Sequence, residues 1–117
     1  LKQLAKSEDI CVVMLAQLNR GVEKQEREDR RPTPADLRDS GELEQDADAV
    51  LLLFREAVYV ERKLKANATP ELADRMMQVQ HKLELILGKN RSGPPATLNL
   101  WCDVAHSAIA QQSRGGI

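Results

Sequence analysis

Apolar residues alternate between short dense runs and long charged stretches along this chain. The opening LKQLAKSED places Leu1, Leu4 and Ala5 on one helical face, and ICVVMLAQL at 10–18 is apolar at nearly every position and rich in β-branched residues. A continuous run of that length predicts a strand buried on both faces, as in a parallel sheet. A helix leading into such a strand is half of a βαβ unit. NRGVEKQEREDRRPTP at 19–34 then reads as a mobile charged loop closed by two prolines. Residues 36–47 predict one or two helical turns interrupted at Gly41, and AVLLLFR at 49–55 predicts a second buried strand.

The second half carries clearer punctuation. EAVYVERKLKANA suits a helix, and TPELADRMMQVQHKL has a defined start: Thr69 as cap, Pro70 at the first helical position and Glu71 near the positive end of the helix dipole. Leu72, Met76, Val79 and Leu83 recur at spacings of four, three and four, a core stripe. In LELILGKNRSGPPATLNLW, Leu83, Leu85 and Leu87 alternate with Glu84 and Ile86, and Leu98 and Leu100 alternate with Asn99 and Trp101. This predicts a β-hairpin with Lys89 and Arg91 at its tip. DVAHSAIAQQSRGGI is too weakly patterned to predict a strand.

Composition narrows the picture. The chain has 117 residues, 42% hydrophobic and 30% charged, with a net charge of -1, which fits one globular unit without a global positive field for nucleic acid. Cys11 and Cys102 form no C-x-x-C, and with His81 and His106 they complete no metal-ligand set, so all four read as structural and no metal site is expected. Unpaired thiols fit a reducing cytoplasm. No apolar stretch approaches a membrane helix and no signal-peptide pattern opens the chain. The absence of an initiator Met and the mid-helix opening predict a piece of a longer protein, or a processed or truncated one.

Three polar features stand at or beyond predicted strand ends, where open α/β sheets bind ligands. Gln17 either hydrogen-bonds a phosphate or a water, or is a satisfied buried amide. Arg38, Ser40 and Gly41 could contact phosphate, while Glu44, Gln45, Asp46 and Asp48 could simply cap and solvate, the reading that spacing alone favours. Lys89 and Arg91 either reach a neighbouring molecule's phosphates or are ordinary turn cations. None of the six glycines stands in a G-x-x-x-x-G-K-[ST] frame, so the chain alone is not expected to hydrolyse a nucleotide.

Taken in order, LAQLNRGVE at 15–23, RPTPADLRDSGELEQDADAVLLLFRE at 31–56 and LILGKNRSGPPATLNL at 85–100 resemble the second half of the RecA-like motor domain of bacterial replicative DNA helicases of the DnaB type. The resemblance runs from Leu1 to about Leu100, with 101–117 a divergent tail and Ala57–Lys82 a helical insertion. It implies an α/β fold: part of a RecA-like P-loop NTPase domain, with buried strands, flanking helices and a C-terminal β-hairpin, lacking the phosphate-loop half. It also implies a hexameric ring with ATP and Mg²⁺ between subunits, single-stranded DNA in the channel, and primase and helicase loader as partners. Gln17 would couple the γ-phosphate to the DNA-binding region. Arg38, Ser40, Gly41, Glu44, Gln45 and Asp46 would belong to the channel segment, and Lys89 and Arg91 would act in trans, Arg91 as the arginine finger. The competing expectation is a truncated, non-catalytic remnant acting as an interaction module.

Overall fold

The computed structural model describes residues 2–18, 30–37 and 41–111, with backbone alone at 41–43. The charged loop expected at 19–34 lies outside the described residues over 19–29, as do Arg38 and Ser40. The elements are α1 (Lys2–Glu8), a 3-10 turn (Pro34–Asp36), α2 (Gly41–Asp46), β1 (Ala49–Phe54), α3 (Glu56–Ala66), α4 (Pro70–Val79), β2 (Lys82–Asn90), β3 (Ala96–Asp103), a second 3-10 turn (Val104–His106) and β4 (Ala108–Gln111). The four strands form one antiparallel sheet in the order β1-β2-β3-β4. Among the described residues no helix is long and apolar enough to cross a membrane. The chain divides into two units, residues 1–52 with 87–95 and residues 53–86 with 96–117.

The first unit departs from expectation in an instructive way. Residues 10–17 form no strand, and Val13 and Leu15 are 83% and 92% exposed. An apolar run becomes a buried parallel strand only with hydrogen-bonding neighbours on both sides. Among the described residues this one has a single isolated bridge, Leu18 with Leu37. Similarly, β1 is not buried on both faces: Val50 and Leu52 are buried, whereas Leu51 is 61% exposed. Its six residues AVLLLF carry no charge, although it stands at the edge of the sheet.

The second unit is built around the α3–α4 helical hairpin. Thr69 caps α4 by accepting from the Leu72 amide at 3.2 Å, and Pro70 occupies the first turn, where a missing N–H costs nothing. Ala57, Val60 and Val79 are buried together, with Leu64, Leu72 and Met76 packed against them. The fourth member of the expected stripe, Leu83, is buried but belongs to β2. Arg75 donates twice to Glu56, at 2.5 and 2.6 Å, a bidentate pair joining the two helices. It raises the Arg75 pKa through that hydrogen bond and the neighbouring charge. Arg55 donates to the Gln80 carbonyl at 3.0 Å, placing a cation at the carbonyl end of α4.

The tail contains a strand that the sequence pattern did not predict: β4 pairs antiparallel with β3, Trp101 opposite Ala110 and Cys102 opposite Ile109. The reversal is made by the second 3-10 turn and Ser107, which adopts a left-handed conformation at φ 50. The same turn brings His106 Nδ1 to 2.6 Å from the Asp103 carboxylate, to which it donates. That hydrogen bond holds the Asp103 carboxyl below its ordinary value of 3.8, against the opposing effect of burial. A carboxyl whose pKa falls on folding adds stability that is complete above the ordinary value and lost as pH drops through the lower folded value. Acid titration followed by Trp101 fluorescence should therefore show β3–β4 loosening only below pH 3.8, and Asp103→Asn should remove that component.

Candidate functional site: two cations at the carbonyl end of α2

The site is assembled in the first unit, at the end of β2. Helix α2 has the sequence GELEQD and no basic residue in its last turn. The final carbonyls of a helix lack intrahelical partners and carry the negative end of its dipole, so they favour cations. Here the cations come from elsewhere in the chain. Lys89 Nζ donates to the Glu44 carbonyl and, at 3.1 Å, to the Gln45 carbonyl. Arg91 donates to the same Gln45 carbonyl at 3.0 Å and to the Asp48 carboxylate at 2.7 Å, while its backbone amide donates to the Asp48 carbonyl at 2.8 Å.

Two corrections follow for the predicted site. Lys89 is not at the hairpin tip: it belongs to β2 and is half-buried, because the strand runs on to Asn90 before the turn begins at Arg91. Glu44 and Gln45 meet the cations through their backbone carbonyls. Asp48, expected only to cap and solvate, supplies the carboxylate; no local spacing could show a partner 43 positions away. Asp46 ends α2 with its side chain exposed, and Gly41 begins it. Gln17 is exposed and precedes Leu18, whose bridge to Leu37 sets that segment beside the residues leading toward Arg38. Among the described residues no group of three His, Cys, Asp or Glu side chains is placed to hold a metal ion.

Close packing behind the cations explains one glycine. A Cβ on Gly88 would lie 2.9 and 3.0 Å from the Pro34 ring and 3.1 Å from a Leu52 methyl. Pro34 cannot yield easily, since Asp36 accepts from the Thr33 amide at 2.8 Å and from the Thr33 hydroxyl at 3.2 Å, fixing the turn around it. Gly88→Ala should therefore cost about 1–3 kcal/mol, as overpacking generally does, read as a lower urea midpoint at unchanged slope.

The α/β architecture with this hairpin is shared with ATPase domains of the RecA fold. A DnaB-like replicative helicase, described with its interactions with primase, superposes at TM-score 0.76 and 34% identity, covering 97% of this chain and 23% of that one. The family model for the DnaB-like helicase C terminal domain matches residues 1–110, and the chain belongs to that family. The replicative DNA helicase DnaB of Rickettsia bellii is 41% identical over 114 residues, which cover 92% of this chain and 22% of the relative. That of Buchnera aphidicola is 42% identical over 101 residues, 86% of this chain and 18% of the relative. The chain thus spans about a fifth of the length of these relatives.

Proposed function

We propose that residues 1–117 are the C-terminal portion of the motor domain of an ATP-hydrolysing replicative DNA helicase. The motor works as a hexameric ring that unwinds duplex DNA at the replication fork. In this reading Arg38, Ser40, Gly41, Glu44, Gln45 and Asp46 belong to the segment facing single-stranded DNA, and Gln17 couples that segment to the γ-phosphate. Lys89 and Arg91 act on ATP held by the adjacent subunit, with Arg91 as the arginine finger. Primase and a helicase loader are the protein partners, and the cytoplasm is the compartment.

The observation that supports the reading is the joint placement of Lys89 and Arg91 against the end of α2, where both donate to the Gln45 carbonyl and Arg91 also to the Asp48 carboxylate. Arg91 keeps 44% of its side chain exposed, so a phosphate from outside can reach it. The residues present do not fit a complete site for ATP with Mg²⁺, because the sequence has no phosphate-loop frame and the described residues no metal cluster. In this reading the chain's part in hydrolysis lies with Lys89, Arg91 and Gln17. The test mixes two helicase variants, one with Arg91→Ala and one with a disabled phosphate loop, and measures DNA-stimulated ATP hydrolysis. Recovery of activity by the mixture, when each variant alone is inactive, is the expected result. No recovery at any ratio would remove the trans-acting assignment.

A further inference from the structure

We propose that Asp48, together with the Glu44 and Gln45 carbonyls, is an internal holding site for Arg91 and Lys89 that competes with phosphate and so makes Asp48 a positioning residue for the cations. The inference rests on the trans-acting reading above and adds to it a specific means of coupling.

The chemistry of the holding site is that of an anion. The end of α2 presents two carbonyls at the negative pole of a helix, and Asp48 adds a full negative charge 2.7 Å from the Arg91 guanidinium. Arg91 places Nη1 on Asp48 and Nη2 on Gln45, so both of its terminal nitrogens are engaged. A phosphate gripped through the N–H donors that now face Asp48 and Gln45 competes with these acceptors for them, and competes with the Asp48 carboxylate for the guanidinium charge. Lys89 is engaged in the same way by the two carbonyls. Phosphate capture through those donors therefore weakens the hold of the two cations on the last carbonyls of α2. Conversely, any shift of α2 when DNA binds changes how readily the cations leave.

The ion pair is also poised to exchange. Arg91 and Asp48 are 44% and 78% exposed, and pairs of that kind contribute about 1 kcal/mol or less, which corresponds to a factor of about five in an equilibrium. Such a pair biases the position of Arg91 without locking it. A deeply buried pair would resist displacement far more strongly.

Two measurements on Asp48→Asn test this. In the assembled helicase, releasing the cations should raise ATP turnover without DNA by about fivefold and lower the DNA-stimulation ratio by the same factor. In the 117-residue chain, hydrogen exchange at the Arg91 side chain, followed by NMR with inorganic pyrophosphate as the probe, should quicken by a similar factor in the variant. Pyrophosphate should bind the variant more tightly, and its binding to the unmodified chain should speed exchange of the 44–48 amides. Asp48→Glu, which restores the carboxylate, should return both readouts toward the starting values. An unchanged DNA-stimulation ratio, or an Arg91 exchange rate indifferent to Asp48, overturns the proposal. Failure of the trans-acting reading looks different: Arg91 exchange responds to Asp48, but pyrophosphate touches neither cation and the subunit mixture recovers nothing.

Discussion

Replacing Arg91 with Ala is expected to lower ATP turnover of the assembled helicase by about 10³- to 10⁵-fold, the range over which arginine fingers act in nucleotide hydrolases. A guanidinium placed against a transferring phosphoryl group stabilises charge that spreads over its oxygens as the bond to the leaving group lengthens. That work is confined to the transition state, so kcat should fall while ATP binding is largely kept. Arg91→Lys should not rescue turnover, because an ammonium cannot reproduce the planar fork that now spans Asp48 and Gln45. A purely structural role predicts something else. Arg91 is half-exposed and caps a six-residue helix, so losing it would cost about 1 kcal/mol of stability and little turnover. Thermal melting alongside single-turnover hydrolysis separates the two.

The largest effect on stability is expected at Phe54. Its side chain is 6% exposed at the end of β1, and its ring stacks on Tyr59 with centroids 5.8 Å apart. Truncation to Ala removes the transfer free energy of a buried ring and leaves a cavity that the adjoining strand and helix cannot fully close. Together these should cost about 3–5 kcal/mol. Set against a typical domain stability of about 5–15 kcal/mol, this is enough to populate the unfolded state visibly. A urea titration should show a much lower midpoint. Phe54→Leu, which keeps most of the buried volume, should recover well over half of the loss. Equal midpoints for Phe54→Ala and the unmodified chain would mean that this ring is not part of the core.

Local chemistry decided what could be read from the residues in order. Thr69, Pro70 and Glu71 mark a helix start by their own hydrogen-bonding and dihedral preferences, and α4 begins there. The alternating leucines of 83–87 and 98–100 likewise lie in β2 and β3. Where the outcome depends on neighbours, the pattern was insufficient. Residues 10–17 have strand-forming side chains, but strand formation is a property of a pair. β4 has only the four residues AIAQ and owes its direction to a left-handed Ser107, a conformation with no reliable mark in Ser. The candidate site divided in the same way. Lys89 and Arg91 could be singled out from the GKNRSGP stretch, but their acceptors are backbone carbonyls and Asp48, far away along the chain. Any residue type could have supplied those carbonyls, so side-chain identity carried no trace of them.

The strand AVLLLF has a further consequence, during synthesis. β1 leaves the ribosome before β2, its neighbour in the sheet, and residues 55–90 must follow before that pairing can close. At elongation rates of about 5–20 residues per second the wait is about 2–7 s. For that interval an uncharged segment of leucine, valine and phenylalanine waits for β2, the strand it lies beside in the sheet, long after a helical hairpin can form on the microsecond scale. A slowed ribosome lengthens that wait, and with it the time during which these apolar side chains lack β2 beside them.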